Sequence, residues 1–579
     1  MKYFLFFLIL NFTFCLKAKK SPFDLSEPSF GMIGFIFASL NRTTSSDTTP
    51  PTVTVTNLKS KGTIETGSIV GTASDNVGVS SVEVQINSGS YAAATLTTTT
   101  NIATPSVSWK YSYPKGSSGN ILKQGPKNTI SIRATSKSGK QTTLTLTEIR
   151  KGENKDIDGD GLPDFVLGSP NFPSGANNGR VYIFYSSQTN ATQTAKQTLD
   201  GTAGSYFGMH TLLSDFNQDG YVDLFVCASI PGTSAANRGY LYNGTANGIS
   251  SSISLTFVPP LGGSSGEFCK TNPVVGDFNG DGFPDLAIGD VTGPNGQIYI
   301  YNGGSSGLST TPTVTILGST SNFGGYTLAV GDINGDGFTD LASATATVLS
   351  KDIFIFHGSV GGLNTSISNA TTSILVGGGL SNRIAFGDLN NDGFDDLAVG
   401  DTTLTSNTGR LSIYLSNGST ISTTVSLTIN GNGTSQFFPS ANGQYARTIA
   451  IADINQDGKN DLIVGNGGAT TPGTNQGSIF IFNGCSSNSL CIANGSNASS
   501  ANYSLSGSAA SDFFGYSLSI SDINNDGIPD LLTSAKGYNS NRGGLYIFLN
   551  KGTGFTTSIS NVDRLFTGEN VNDNSGASL

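Results

Sequence analysis

Apolar and polar residues alternate with a period of two along much of the chain. Residues 50–148 carry four such runs, at 52–56, 81–86, 129–134 and 143–147. This period is typical of strands with one buried face, and about 100 residues with several such strands suit a β-sandwich. We expect this region to be a spacer, with a direct binding role as the alternative.

Composition extends the β prediction to the whole chain. The 579 residues include 75 Gly, only 12% are charged, and no long stretch rich in Ala, Glu, Lys and Leu predicts a helix. Short strands joined by Gly-rich turns indicate an all-β protein. The length exceeds that of one ordinary domain, so two or three are expected.

The N-terminus has the pattern of an export signal. Lys2 precedes an apolar run from Tyr3 to Phe14, which is too short to span a bilayer but suits a signal peptide at 1–14. Cys15 follows at once, which resembles a bacterial lipoprotein signal with an acylated Cys15. Phe14 departs from that pattern, so cleavage near Ala18 and secretion is the alternative. Residues 15–49 are then predicted to tether an outer-membrane or cell-surface protein.

One motif returns seven times from Asp156 onward, at intervals of 55 to 69 residues. Its copies read DIDGDGLPD (156–164), DFNQDGYVD (215–223), DFNGDGFPD (277–285), DINGDGFTD (332–340), DLNNDGFDD (388–396), DINQDGKND (453–461) and DINNDGIPD (522–530). Self-similarity at such a period predicts a propeller or a solenoid.

The motif has the chemistry of a calcium loop. Calcium takes six to eight oxygen ligands in flexible geometry, and side chains at positions 1, 3, 5 and 9 of a tight loop can converge on one point. The alternative is a metal-free Asx turn, but carboxylates packed together repel one another without a cation. Up to seven Ca²⁺ ions are expected. The predicted ligands are Asp156, Asp158, Asp160, Asp164, Asp215, Asn217, Asp219, Asp223, Asp277, Asn279, Asp281, Asp285, Asp332, Asn334, Asp336, Asp340, Asp388, Asn390, Asp392, Asp396, Asp453, Asn455, Asp457, Asp461, Asp522, Asn524, Asp526 and Asp530.

Each loop lies inside a unit with four strand-like segments. A Gly-containing strand precedes the loop, an apolar run follows it, and an aromatic-aliphatic strand and a Thr-rich strand complete the unit. Four strands in about 60 residues make one blade of a β-propeller.

These units resemble the FG-GAP repeats of integrin alpha chains and their bacterial relatives. Phe207-Gly208 and Phe514-Gly515 match the Phe-Gly step of the family, whereas Cys269-Lys270, Leu380-Ser381 and Tyr445-Ala446 stand there in blades three, five and six. The resemblance implies a propeller that binds protein or matrix ligands. The stretches 71–86 and 128–139 also resemble bacterial immunoglobulin-like modules, which implies that fold for residues 50–148.

The two ends of the repeat region complement each other. Blade one lacks a first strand, and residues 564–579 align with 503–518, so that Gly568 falls on Gly507 and Gly576 on Gly515. A ring whose first blade is completed by the C-terminus has no free sheet edge. We therefore expect seven blades over residues 152–579.

The five cysteines suggest one local disulfide. Cys485 and Cys491 lie six residues apart and are predicted to pair, with two free thiols as the alternative; whether Cys227 and Cys269 pair is left open. An exported protein can form such bonds.

The remaining chemistry favours binding over catalysis. The net charge of −10 argues against nucleic acid. Neither His210 nor His357 belongs to a recognisable catalytic set, so both are expected to be structural and the chain to be no enzyme. The expected function is calcium-dependent adhesion by a monomer that binds a protein or glycan ligand, with the host matrix as one candidate source, and contacts the membrane through its lipid. The alternatives are a carbohydrate-binding or accessory glycan-degradation protein and a purely structural envelope protein.

Overall fold

The computed structural model describes most of the chain from Asp47 to Leu579. The predicted signal peptide, Cys15, nearly all of the predicted tether and Asp160 lie outside the described residues. The chain divides at Pro50, and the elements described below belong to the unit Pro51–Leu579. No helix in the described part is long and apolar enough to cross a membrane. The residues not described are 1–46, 48, 56–57, 59–62, 65–67, 99–105, 113–127, 152–154, 159–162, 187–194, 196, 220, 230–236, 261–267, 291–295, 305, 319–326, 346–351, 376–380, 402–408, 432–447, 468–474, 486–489, 525, 527, 552–554 and 556–557.

Two sheets form the region before the repeats. The first has the strand order β1-β3-β7-β6 and the second β2-β9-β8-β4-β5. Their bounds are β1 Thr52–Val55, β2 Thr63–Ile64, β3 Ser68–Ser74, β4 Val79–Ile86, β5 Ala92–Ala93, β6 Thr95–Thr98, β7 Ser106–Ser112, β8 Asn128–Ser136 and β9 Gln141–Lys151. One apolar cluster lies between the two sheets, so this region is a β-sandwich, and β9 runs three residues past the predicted boundary at 148.

Trp109 is the largest side chain of the sandwich core. It is 2% exposed, as expected for a core residue. Gly71 lies directly against it, because a Cβ at this position would meet Trp109 Cζ2 at 2.6 Å and the Thr54 carbonyl oxygen at 2.0 Å. The immunoglobulin-like character of this sandwich stays a prediction.

Among the described residues, seven further sheets follow, one for each repeat, besides a separate two-stranded hairpin. Their strands pair antiparallel in chain order, except for one short parallel strand added to the fifth sheet. Blade 1 comprises β10 Phe165–Ser169, β11 Arg180–Phe184 and β12 Gln197–Asp200. Blade 2 comprises β13 Phe207–Ser214, β14 Asp223–Ala228, β15 Arg238–Tyr242 and β18 Leu255–Phe257, with the hairpin β16 Gly244–Thr245 and β17 Gly248–Ile249. Blade 3 comprises β19 Val274–Gly276, β20 Asp285–Asp290, β21 Gln297–Tyr301 and β22 Val314–Leu317.

Blades 4 to 7 repeat this arrangement. Blade 4 comprises β23 Thr327–Gly331, β24 Asp340–Ala344, β25 Asp352–Phe356 and β26 Thr372–Leu375. Blade 5 comprises β27 Ser381–Gly387, β28 Asp396–Asp401, β29 Arg410–Tyr414 and β30 Leu427–Asn430, joined by β34 Ser496–Asn497. Blade 6 comprises β31 Ile449–Ala452, β32 Asp461–Asn466, β33 Ser478–Phe482 and β35 Tyr503–Ser506, and blade 7 comprises β36 Phe514–Ser521, β37 Asp530–Ala535, β38 Gly544–Phe548 and β39 Arg564–Thr567. Short helical turns lie at Ile367–Asn369, Ala498–Ser500, Tyr538–Asn541 and Ile559–Asn561.

Seven apolar clusters join the sheets into a ring. Each cluster combines residues of two consecutive blades, and the last one joins blade 7 to blade 1. In that closing cluster the ring of Phe184 stacks on Phe165 at 4.8 Å and meets Phe566 of blade 7 at the same distance. The fold is therefore all-β, and the arrangement is that of a β-propeller.

The strand patterns follow from this packing. The second strands are buried at every position whose burial is described, as in β14 and β32, because neighbouring blades cover both of their faces. The outer strands alternate between buried and exposed positions, as in β26. A continuous apolar run is what a strand buried on both faces requires, which explains the apolar run after each Asp loop.

The C-terminus supplies the missing inner strand of blade 1. Ser578 forms an antiparallel bridge with Gly168 of β10, and the Gly168 carbonyl accepts from the Gly576 N–H at 2.9 Å. Ser575 bridges Gly543 in parallel, as Phe514 bridges Gly477 one blade earlier. The final residues thus repeat the contacts of an inner strand, in the register that the sequence alignment predicted.

A disulfide replaces part of the Phe-Gly step in blade 3. Cys269 pairs with Cys227 of β14 in blade 2, with 5.6 Å between their Cα atoms. Phe268, one residue earlier, packs on Tyr299 with ring centroids 6.0 Å apart, as Phe514 packs on Tyr546 in blade 7. The structure also joins Cys485 to Cys491, the pair that the sequence predicted.

Closing the ring depends on Gly576. Its φ is +97°, and a Cβ there would meet Ser534 Cβ at 2.6 Å. We expect Gly576→Ala to lower the free energy of unfolding by about 3–5 kcal/mol, since it combines left-handed strain with overpacking. Denaturant melts of the propeller measure this loss.

The matched control is Gly175→Ala in blade 1. Its φ is +86°, but nothing lies within 4 Å of the added Cβ. This variant should lose only the strain of about 1–2 kcal/mol. Equal losses in both variants would show that the contact at Ser534 does not hold the ring closed.

Candidate metal centres in the aspartate loops

A buried carboxylate at position 9 organises every loop. One of its oxygens accepts a hydrogen bond from the backbone N–H of position 2, and the other accepts from a backbone N–H just beyond the third strand. All fourteen distances lie between 2.7 and 3.1 Å. The carboxylates are those of Asp164, Asp223, Asp285, Asp340, Asp396, Asp461 and Asp530. The ninth residue therefore ties the loop to the end of the third strand.

The residue at position 2 of each loop has a structural role that the sequence motif alone did not indicate. Its side chain is at most 3% exposed in every copy, while its N–H serves the position-9 carboxylate. The signal was present in the sequence, because this position is Ile, Phe or Leu in all seven loops. These residues are Ile157, Phe216, Phe278, Ile333, Leu389, Ile454 and Ile523.

The second donor of each carboxylate is a small residue. Where it is Gly, as at Gly303, a Cβ would meet the carbonyl oxygen of loop position 8 at 2.2 to 2.5 Å. Where it is Ser416, its hydroxyl donates to the Ile333 carbonyl of the preceding blade at 2.7 Å. Asn550 donates in the same way to the Ile454 carbonyl. Gly at this position allows the close approach of the loop backbone, whereas Ser416 and Asn550 link neighbouring blades.

Positions 1, 3 and 5 form a network of Asx-type hydrogen bonds. In loop 2 the Asn217 amide donates to Asp219 Oδ2 at 3.0 Å, and Asp219 Oδ1 accepts from the Tyr221 N–H at 2.9 Å. Loops 3, 4, 5 and 7 repeat the amide contact. Loop 6 differs, because the Asn455 amide turns toward Asp461. The residues predicted as calcium ligands are therefore the same residues that form the Asx-type turn.

Loop 1 brings three carboxylates together. Asp156, Asp158 and Asp164 each offer an oxygen, and these oxygens lie within 4.8 Å of one another. Position 3 is Asp here instead of Asn, so no side-chain amide is present to bridge the group. Asp160 lies outside the described residues, and the other predicted ligands are placed within their own loops.

Burial makes the loop carboxylates difficult to ionise. It raises the pKa of the position-9 carboxyl above its usual range, against the opposing effect of the two N–H donors, and carboxylates at positions 1, 3 or 5 raise it further. The pKa rises to about 8 in Asp223, Asp285 and Asp340, to about 7 in Asp396 and Asp530, to about 6 in Asp461, and well above its usual range in Asp164. A cation would offset this cost.

The loop residues fit a hard divalent cation. All donors at positions 1, 3, 5 and 9 are carboxylate or amide oxygens, which is the ligand type that calcium prefers. In loop 3, Asp277 Oδ1 is buried and has no hydrogen-bond partner among the described residues. That oxygen and the carboxylates of loop 1 could serve as ligands of such a cation.

Family models match the repeats directly. The model described as FG-GAP-like repeat matches residues 156–226, 215–288 and 277–343, and the model described as FG-GAP repeat matches 382–414, 445–482 and 514–548. Together these matches cover about half of the chain.

Curated relatives match parts of the same region. Integrin alpha-4 of Xenopus laevis is 33% identical over 184 residues, which is 29% of this chain and 17% of the relative. Phosphatidylinositol-glycan-specific phospholipase D of Bos taurus is 38% identical over 145 residues, 22% of this chain and 17% of the relative. The chain thus spans less than a fifth of the length of either protein.

Solved structures are matched only loosely. A rhamnogalacturonan lyase of Bacillus licheniformis aligns with a TM-score of 0.33 and 12% identity, over 83% of this chain and 89% of the lyase. Likeness of that extent carries no argument about function. The family models, the sheet arrangement and the seven Asp loops agree with one another, and the chain is an FG-GAP repeat protein similar to the integrin alpha chains.

Proposed function

We propose that the chain is a calcium-binding, non-catalytic surface lipoprotein that binds a protein or glycan ligand in the manner of an adhesion receptor. Calcium fixes the seven loops on one end of the ring, and the loops between blades present the ligand-binding surface. Attachment to the membrane through a lipid on Cys15 is part of this proposal. The observation that carries it is the recurrence of the same carboxylate-centred loop in all seven blades.

Calcium binding is supported by the charge in the loops. More than half of the 40 acidic residues of the chain belong to the seven motifs. The position-9 carboxyl groups are buried in all seven loops. Buried carboxylates that share a site destabilise a fold unless a cation or protons neutralise them. Up to seven Ca²⁺ ions supply that neutralisation.

Ligand binding is supported by the likeness to integrin alpha chains over the repeats. The loops at the rim of a propeller can change in sequence without disturbing the blades. A binding site can therefore be placed on these loops while the blades provide a stable scaffold. The rigidity of that scaffold is the role proposed for calcium here.

The metal role and the structural role can be separated by two variants in loop 2. Asp219→Ala removes an exposed position-5 carboxylate and should lower the calcium stoichiometry by one, with a loss of about 1 kcal/mol or less in chelator. Asp223→Ala also leaves two backbone N–H groups without their acceptor, so it should cost about 2–5 kcal/mol even in chelator. Calcium titration and melts in both conditions measure these effects.

Near seven ions should bind to the unmodified chain. If Asp219→Ala binds as many ions as the parent and melts identically with calcium, position 5 is no ligand and the loops are Asx turns. Asp563→Ala on blade 7 serves as the control, because this carboxylate lies outside the seven loops but, like that of Asp219, accepts a backbone N–H, here from Leu549 at 2.8 Å. It should leave the calcium stoichiometry unchanged.

Calcium and protons should compete for the loops. The pKa values of Asp223, Asp285 and Asp340 are raised to about 8 in the folded chain, above the usual value of an unfolded Asp. A raised folded pKa contributes stability at low pH that is lost as the pH rises through the folded pKa. In chelator, the melting temperature should therefore fall between about pH 5 and pH 8.

With calcium the trend should weaken or reverse, because the cation binds the ionised carboxylates. The stabilisation by calcium, taken as the difference between melts with calcium and with chelator, should thus grow from pH 5 to pH 8. A difference that is constant over this range would contradict metal binding by the buried position-9 carboxylates.

Adhesion should depend on calcium. Binding of the full chain to a panel of purified extracellular-matrix proteins, measured by surface plasmon resonance, should be saturable in calcium and lost in chelator. Asp223→Ala should lose binding in both conditions, because the ring is loosened. Binding that persists unchanged in chelator would refute the role proposed for calcium in ligand binding.

A further inference from the structure

Lys110 leaves the β-sandwich on the face turned away from its core. In β7 the neighbouring side chains of Trp109 and Tyr111 are buried in that core. Because side chains alternate along a strand, that of Lys110 points to the opposite face of the sheet. Its strand lies between β3 and β6, inside the sheet. The sandwich therefore presents a lysine from the middle of its outer face.

The ammonium group of Lys110 lies against Asp loops 3 and 4 of the propeller. Its Nζ is 3.9 Å from the ring centroid of Phe338, which is position 7 of loop 4. Gly280 is position 4 of loop 3, and a Cβ there would lie 2.8 Å from Lys110 Nζ and 2.2 Å from Phe338 Cε1. Lys110 thus reaches from the sandwich to loop 3, where the absence of a side chain at Gly280 leaves room for it.

Loop 4 shows the same arrangement without the lysine. Gly335 corresponds in loop 4 to Gly280, and both have a left-handed backbone, with φ of +71° and +69°. A Cβ at Gly335 would meet Phe394, position 7 of loop 5, at 2.8 Å and, apart from its chain neighbours, no other described residue within 4 Å. The two loops therefore share their backbone and their aromatic cover, and they differ in the contact with Lys110.

Two attractions hold the ammonium group at this position. Its Nζ is buried and has no hydrogen-bond partner among the described residues, which is costly for a charged group. The aromatic face of Phe338 offsets part of that cost. The carboxylates of loop 3 supply the second attraction. Burial raises the pKa of Asp277 to about 6, and the charge of Lys110 opposes that rise, so the two charges stabilise each other.

A calcium ion in loop 3 and the Lys110 ammonium would oppose each other. The ion would neutralise the carboxylates that attract the lysine and would place a second positive charge beside it. We propose that Lys110 lowers the calcium affinity of loop 3, and that calcium binding there releases the sandwich from the propeller. The two effects are reciprocal, so they have the same size. This inference rests on the calcium binding proposed above, and it makes the sandwich a calcium-controlled element instead of a passive spacer.

Calcium titration of the full chain tests the effect of the lysine on loop 3. Lys110→Met keeps the length of the side chain and removes its charge, so one ion should bind about tenfold more tightly than in the parent. The gain should disappear in an Asp281→Ala background, which lacks the position-5 carboxylate of loop 3. It should persist in an Asp336→Ala background, which is altered at the same position of loop 4.

Lys137→Met is the matched control. Lys137 belongs to the turn between β8 and β9 of the same sandwich and is exposed, so its variant should bind every ion as the parent does. Parental affinity for all ions in Lys110→Met would overturn the inference. A gain that survives in the Asp281→Ala background would overturn the assignment to loop 3.

A second measurement uses the unmodified chain and follows the release of the sandwich directly. The buried Nζ of Lys110 should react slowly with an acetylating reagent in chelator and about tenfold faster in saturating calcium, whereas exposed Lys137 should react alike in both; mass spectrometry of the peptides measures the rates. Near seven bound ions with equal or slower reaction of Lys110 in calcium would overturn this inference and leave the calcium proposal intact. A chain that binds no calcium would refute both.

Discussion

A single buried carboxylate in each blade carries the architecture. It accepts one N–H from the loop between the first two strands and another from beyond the third strand, so three strands of a blade are fixed by one side chain. Burying that carboxylate is costly unless its oxygens are fully hydrogen-bonded or coordinated. The blade geometry satisfies part of that demand with two backbone donors, and in loop 1 an oxygen of this carboxylate also lies within 4.8 Å of oxygens of Asp156 and Asp158. The same residue thereby links local turn geometry to the proposed metal site.

The blades do not stand alone. Every apolar cluster of the ring is shared by two neighbouring blades, so the hydrophobic stabilisation of one blade depends on the presence of the next. The C-terminal residues complete blade 1 through Ser578 and Gly168, and the Cys227–Cys269 disulfide joins blade 2 to blade 3 where the repeat loses its Phe-Gly step. A closed ring leaves no unpaired inner edge, which otherwise favours aggregation.

The sequence alone determined the repeat, the strand patterns and the residues of the loops. These features are local: the Asp spacing, the glycines and the apolar runs are set by turn geometry and by the two-residue period of strands. The correspondence of Gly576 with Gly515 could also be recognised in the sequence, because the C-terminal segment obeys the same steric constraints as an inner strand. The apolar residue at position 2 was visible in all seven copies, but its role was not, because its N–H acts on a residue seven positions away through the folded loop.

Only the tertiary structure decided which distant residues meet. The partner of Cys269 and the carbonyl that accepts from Ser416 both belong to the preceding blade, so these contacts depend on how the blades pack in the ring. These pairs are separated by 42 and 83 residues in the chain, and no local periodicity encodes such contacts. The sequence specifies each blade, and the closed ring determines which blades face one another across the axis.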